Sequence, residues 1–220
     1  MEDHFSCVHC AGEACEFETG DNPPQCVEGL ITDEMHREVH ERYADPEIHR
    51  LTKAAVRTNS RCARLTRVQE TIEYASGIGA RKIGIATCTM LIRESRILGQ
   101  LLERAGFEVF GVACKVEGNH RDDLDVMLED GEPGPVLCNP IMQARLLEEA
   151  GTDLNIVMGL CVGHDVLFYQ HSKAPTTTLA TKDHTTGHNP CAALYASKSV
   201  YRKRLDATIE AARTGAPFPG

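Results

Sequence analysis

The sequence predicts an α/β fold in which an open, mainly parallel sheet follows a small cysteine-rich segment. Three observations carry that prediction. From residue 82 onward, apolar runs of strand length alternate with amphipathic stretches of helical period. The unit Leu102-Glu103-Arg104-Ala105-Gly106 is answered by Leu147-Glu148-Glu149-Ala150-Gly151, and each is followed by an apolar run ending in cysteine. Cys88, Cys114, Cys138 and Cys161 recur at intervals of 26, 24 and 23 residues, close to the length of a βα unit. Crossovers between parallel strands are right-handed, so the pattern reads as a Rossmann-like, doubly wound sheet.

Residues 1–30 hold Gly12, Gly20 and Pro23-Pro24 and show neither helical nor strand period. They read as a knuckle held by something other than an apolar core, with the α/β domain over 31–220. A polar helix is expected over 33–44 with Asp33 as N-cap. Asp45-Pro46 opens a second helix that runs to about Thr58, Asp45 capping and Pro46 in the first helical position. A third carries Leu65, Val68, Ile72 and Ala75 on one face and ends at Gly77 and Gly79. Strand 82–88 leads to a helix over 90–105 with Ile97, Leu98, Leu101, Leu102 and Ala105 as its apolar face. Gly106 ends that helix. After strand 107–114, the polar stretch 115–137 reads as a long loop or lid. Asn139-Pro140 opens a helix that Gly151 ends. Strand 154–161, a glycine-containing loop, a short strand near Thr176–Ala180, a helical region over 190–213 and a loose tail complete the order.

With 220 residues, the chain suits one compact domain with a small appendage. Trp is absent and aromatic residues make up only 5%, so the core should be aliphatic. The net charge of −9, without a Lys/Arg-rich tract, argues against nucleic acid or an anionic membrane as partner. No apolar stretch approaches the ~18 residues needed to span a bilayer. The acidic start, Met1-Glu2-Asp3-His4, lacks the basic and apolar regions of a signal peptide. The expectation is a cytoplasmic protein whose thiols stay reduced. Its ten cysteines are then not a disulfide framework. Cys62 fits a small buried hydrophobe; the clustering of the others asks for another cause.

Ligands of open parallel sheets bind beyond the carboxyl ends of the strands. Cys88, Cys114 and Cys161 close strands there, and Cys138 precedes a helix whose N-terminus points at the same edge. Soft thiolates suit zinc or an iron–sulfur cluster. A four-cysteine zinc site would be a structural prop, which a core built on a sheet does not need. An iron–sulfur cluster, of 4Fe–4S type, is therefore expected at this edge. Cys88, Cys114 and Cys161 hold it, and Cys138 is the odd one. Preceding a helix N-terminus, Cys138 is expected to have a lowered pKa and to be a reactive thiolate. The plain alternative is that small residues merely pack at strand ends. In the knuckle, Cys7, Cys10, Cys15 and Cys26 form Cys-x-x-Cys followed by two further thiols within twenty residues. Zinc would supply folding energy the segment lacks; a second iron–sulfur cluster is the rival, and a redox-active thiol arm the plain reading.

Gly163 in Gly159-Leu160-Cys161-Val162-Gly163-His164-Asp165 would let backbone N–H groups approach an anion or cluster. His164 and Lys115 are candidate catalytic groups, as proton donors or substrate anchors. Lys182-Asp183-His184 leaves the last strand toward the same edge. His36 and His40 read as a solvated helix face, since the Glu of a zinc-protease motif is misplaced between them. Ser172 and Thr176–Thr178 read as strand and turn residues.

Together, Cys7-Val8-His9-Cys10, Ala86-Thr87-Cys88, Cys114-Lys115, Cys138-Asn139-Pro140-Ile141, the Cys161 segment, and Ser172-Lys173-Ala174-Pro175-Thr176-Thr177-Thr178-Leu179 through Lys182-Asp183 and His188-Asn189-Pro190 resemble a family of bacterial and archaeal cysteine-rich proteins. That family is known as a domain of unknown function described as metal-binding. The resemblance covers nearly the whole chain and implies a metal without naming a reaction. The expected function is redox or substrate-activating chemistry, of sulfur-removing or lyase type, on a small-molecule substrate or with an electron-transfer partner. The alternative is a non-catalytic zinc protein serving as metal carrier or binding module.

Overall fold

The computed structural model describes residues 6–10, 12, 14–17, 20–126 and 136–219, and divides into two compact units, Met1–Arg57 and Thr58–Gly220. The cysteine-rich segment falls in the first unit. There a 3-10 turn over Cys7–His9 is followed by helix α1 (Ala14–Phe17) and a second 3-10 turn over Val27–Leu30. Helix α2 runs over Asp33–Ala44 and α3 over Pro46–Asn59. The expected cap Asp33 is replaced by Thr32, whose hydroxyl accepts from the Met35 N–H at 3.2 Å. Asp45 caps α3 as expected: its carboxylate takes the N–H groups of Glu47 at 2.9 Å and Ile48 at 3.1 Å.

The second unit opens with helix α4 (Arg67–Gly77), closed at its start by a capping box between Thr66 and Gln69. Cys62, expected in the core, is exposed on a 3-10 turn over Cys62–Arg64. Then come strand β1 (Lys82–Thr87), helix α5 (Ile92–Arg104), strand β2 (Glu108–Ala113), the short helix α6 (Arg121–Leu124), helix α7 (Pro140–Glu149), strand β3 (Leu154–Met158), helix α8 (His164–His171) and strand β4 (Thr176–Ala180). Helices α9 (Cys191–Tyr195) and α10 (Arg202–Thr214) follow, so the expected C-terminal helical region is broken in two. Residues 127–135 of the loop or lid expected over 115–137 lie outside the described residues, and its described part carries α6.

The four strands form one all-parallel sheet in the order β2-β1-β3-β4. The order reverses between β1 and β3: the chain leaves β1 toward β2, then returns past β1 to build β3 and β4. Right-handed crossovers place α5 on one face and α7 and α8 on the other. Ile83, Ile85, Leu154, Ile156 and Val157, all buried, form the central layer, with Leu98 and Leu102 from α5 and Ala144 and Leu147 from α7 packed over them. Of the apolar face expected on α5, Leu98 and Leu102 are buried with Ser95 beside them, whereas Ile97 and Ala105 are exposed. Gly84 keeps β1 thin where α7 and β3 approach: a Cβ there would lie 2.2 Å from Asn155 Oδ1. Among the described residues, no helix is long and apolar enough to cross a membrane.

Candidate functional site

Register places the site. Thr87 pairs with Ala113 on β2 and with Met158 on β3, and Met158 pairs with Ala180 on β4. These four residues form one row across the carboxyl ends of the strands, about 4.8 Å apart from strand to strand. The next residues of β1 and β2 are Cys88 and Cys114, pinned by Cys88 N–H to Met158 C=O at 3.1 Å and Cys114 N–H to Thr87 C=O at 2.8 Å. Cys161 and Lys182 follow β3 and β4 within three residues. The strand expected over 154–161 ends instead at Met158, because Gly159 turns the chain at φ +72°. Its Cβ position would lie 2.7 Å from Leu91, so only glycine fits. Cys138 is held beside the end of β2 by the Asn139 N–H, which donates to the Cys114 carbonyl at 2.8 Å.

The side chains then meet in sequence. The Cys138 thiol donates to the Cys114 sulfur at 3.4 Å, and Cys114 hydrogen-bonds in turn to Cys88. The Lys182 ammonium donates to Cys88 Sγ at 3.1 Å and to Cys161 Sγ at 3.3 Å. Cys88 and Cys114 are buried; Cys138 and Cys161 are half-buried. The four thiols expected at this edge are thus gathered, with a cation between two of them. Among the described residues, however, no group of three or more His, Cys, Asp or Glu side chains is set to hold a metal ion. The knuckle shares in that: Cys7 and Cys15 are exposed, and Cys10 Sγ accepts from the Gly12 N–H at 3.3 Å.

Electrostatics separate the thiols. Burial works against ionisation of Cys88, but the Met90 N–H at the start of the turn leading into α5, together with Lys182, outweighs it and lowers its pKa. Cys138, expected to be the reactive thiolate, is pushed up to about 11 by burial and by its bond to Cys114. The helix start below it has little to offer the sulfur. Pro140 carries no N–H, Asn139 gives its own to Cys114, and Met142 gives its own to the Asn139 side chain. Lys182 is held charged: burial opposes the ammonium, and the two sulfur contacts outweigh burial.

The remaining candidates are placed as follows. His164 is half-buried at the start of α8, its pKa lowered by burial and then by Lys115 and Lys182. It stands as a neutral imidazole, a base or ligand before a proton donor. The Lys115 ammonium donates to the Val136 carbonyl and acts on the site at longer range, lowering His164 and opposing the rise at Cys138. Gly163 has φ +87° as expected of a turn glycine, but its N–H is taken by the Asp165 carboxylate at 3.0 Å and does not face the thiols. Ser172 and Thr176 join Asn155 in a hydrogen-bonded strut under β3 and β4. The rings of His36 and His40 lie 4.3 Å apart on the exposed face of α2.

Gln143 escaped the sequence reading. It is fully buried on α7, and its Nε2 donates to the carbonyls of Val112 at 2.7 Å and Thr87 at 3.2 Å, close to the strand ends that carry Cys114 and Cys88. Its Oε1 is buried without a partner. The available signal was a glutamine on the same face as Pro140, Ala144 and Leu147, where an aliphatic residue would be expected.

Comparison with other proteins agrees with the resemblance. The chain is 45% identical over 140 residues to Uncharacterized protein MJ0455 of Methanocaldococcus jannaschii, a match covering 64% of this chain and 71% of that protein. A family described as Protein of unknown function (DUF1847) matches residues 26–179, a span that holds Cys88, Cys114, Cys138 and Cys161 but ends before Lys182. Since that match covers well over half its length, the chain belongs to the DUF1847 family.

Proposed function

We propose that Cys88, Cys114, Cys138 and Cys161 form the pocket of an iron–sulfur cluster, used in redox or substrate-activating chemistry on a small molecule. The observation that carries this reading is the run of four cysteine sulfurs joined through Lys182 at the point where the strand order reverses. Open α/β sheets bind their ligands at that crevice.

The donor set fits the group. Thiolates are the usual ligands of iron–sulfur clusters, and two of the four sulfurs already share a cation at hydrogen-bond distance. Cys88 and Cys161, both hydrogen-bonded to Lys182, and Cys114, buried beside them, are the proposed ligands. Cys138 is the fourth sulfur, held as a thiol against Cys114. When bound, the cluster would supply electron transfer or a Lewis-acidic iron. Lys182 would balance the thiolate charge, and neutral His164 would take a proton from substrate or orient it. Lys115 would attract an anionic substrate, its charge reaching both His164 and Cys138. A second metal in the knuckle, on Cys7, Cys10, Cys15 and Cys26, belongs to the same reading, as does a reducing, cytoplasmic setting.

A mononuclear zinc site is the second reading. It is favoured by the 3.4 Å between the Cys114 and Cys138 sulfurs, near the roughly 3.8 Å edge of a zinc–thiolate tetrahedron. Anaerobic purification with iron, sulfide and zinc analysis separates the two. A brown protein with matched iron and sulfide supports the first, and a colourless protein with stoichiometric zinc refutes it. Within the first reading, Cys138→Ser should keep the colour and lose substrate-induced spectral change. Cys88→Ser, Cys114→Ser and Cys161→Ser should bleach. Equal bleaching by Cys138→Ser makes it a fourth ligand and moves the role to electron transfer.

A further inference from the structure

We propose that Cys114 and Cys138 form a redox-active dithiol that closes to a disulfide in response to a small-molecule disulfide, and that Lys182 keeps Cys88 and Cys161 from closing a second one. Several bridges can be drawn among the four cysteines, and the geometry favours one of them. Cys114 and Cys138 have their sulfurs 3.4 Å apart with nothing between them, and their backbones are tied by the 2.8 Å bond from Asn139 N–H to the Cys114 carbonyl. A disulfide needs about 2.05 Å, a gap that side-chain rotation can close. Cys88 and Cys161 instead share the Lys182 ammonium, 3.1 Å from one sulfur and 3.3 Å from the other, so their union would have to expel a hydrogen-bonded cation. Cys138, half-buried, gives a small oxidant its approach to buried Cys114.

The exchange balances as an ordinary thiol–disulfide reaction. One cysteine thiolate attacks a sulfur of the small disulfide, breaking its S–S bond and releasing one small thiolate. The other cysteine thiolate attacks the protein sulfur of the mixed disulfide and releases the second. Two protein S–H bonds are lost and one protein S–S bond forms. The small disulfide is reduced to two thiols, which carry the two protons away. The pairing stands on the geometry alone; its consequence rests on the proposed function. A closed Cys114–Cys138 bridge removes Cys114 from the proposed ligands, so oxidation would release the metal.

The test uses the full chain, reduced and freed of metal by chelation, then exposed to oxidised glutathione, blocked with N-ethylmaleimide and mapped by mass spectrometry. The expected product is a Cys114–Cys138 cross-link, lighter by two hydrogens, with Cys88 and Cys161 carrying the blocking group. A main product joining Cys88 to Cys161 or to Cys114 overturns the proposal. So does a protein whose four site thiols all stay free while its exposed cysteines react. Lys182→Met should allow Cys88–Cys161 to appear; if it does not, Lys182 is not what excludes it. Metal content is read on the same preparation before chelation. The predicted cross-link in a protein that takes up no metal when reduced leaves this proposal standing and removes the cluster reading. A loaded protein that oxidises to another pair does the reverse.

Discussion

Gly159→Ala tests whether the turn that delivers Cys161 is built as described. Two costs arise at this position. An L-residue at φ +72° pays roughly 1–2 kcal/mol for the left-handed conformation. The added methyl also lands 2.7 Å from Leu91 Cδ2 and 2.9 Å from Cδ1, and Leu91 is itself buried, so it cannot swing into solvent. Overpacking of that kind costs about 1–3 kcal/mol. Gly151→Ala is the control, since its φ is +65° but a Cβ there meets nothing within 4 Å. The control carries only the backbone cost, so the two variants should differ by about 1–3 kcal/mol. In a domain of this size each kcal/mol moves Tm by roughly 2–4 °C. Gly159→Ala should therefore melt roughly 2–12 °C below Gly151→Ala in a calorimetric or circular-dichroism scan of the metal-free protein. The Leu91 N–H also donates to the Cys88 carbonyl at 2.9 Å, so the same strain reaches the thiols. Equal melting of the two variants would mean that Leu91 does not pack on Gly159, and the turn would have to be rebuilt.

Three further outcomes are expected. Lys182→Met should raise the Cys88 pKa, because burial is then opposed only by the Met90 N–H and the bond to Cys114; a thiolate-absorbance titration of the reduced, metal-free protein should move to higher pH, and an unchanged curve removes Lys182 from the site. His164 is held below its ordinary value of 6.5, so as the pH falls through that range the unfolded chain takes up its proton first and stability drops. His164→Gln should flatten that acid limb in denaturant titrations, and a slope identical to the parent counts against the burial described. Chelation should speed amide hydrogen exchange over residues 1–30 while leaving β1 and β3 protected; exchange there that ignores metal removal rules out a metal-held knuckle.

The alternation of strands and helices was legible because β1 and β3 are buried on both faces and read as continuous apolar runs, while α5 and α7 end at glycines that take positive φ. What failed to read was governed by single residues. Gly159 cut the apolar run 154–161 short, a turn that composition does not reveal. Helix α8 was hidden because only Phe168 on it is buried, so no stripe marks it. The convergence of Cys88, Cys114, Cys138 and Cys161 could be foreseen from strand ends alone, whereas the part played by Lys182 could not. It depends on the β3–β4 register, which shifts at Val157/Met158. Cys138 departs from the expected low pKa because burial and its bond to Cys114 dominate, while Asn139 and Met142 give their N–H groups elsewhere and Pro140 has none.

The difference between Cys88 and Cys138 follows from what each helix start leaves unpaired. At Cys88 the residues after the strand are Thr89 and Met90, both with N–H groups, and that of Met90 reaches the sulfur. At Cys138 the sequence Asn139-Pro140 builds a sound N-cap: Pro140 has no N–H, the Asn139 side chain takes that of Met142, and the Asn139 N–H goes to the Cys114 carbonyl. A residue pair chosen to start a helix well is thus a poor one for activating the cysteine before it. Ionising all four sulfurs would set mutually repelling charges around Lys182, and burial together with Cys114 favours keeping the proton on Cys138. A metal held as proposed by Cys88, Cys114 and Cys161 would leave that proton in place. Oxidation of Cys138 with Cys114 would remove it by a covalent route. Cys138 is therefore the residue at which the proposed cluster pocket and the proposed dithiol would meet.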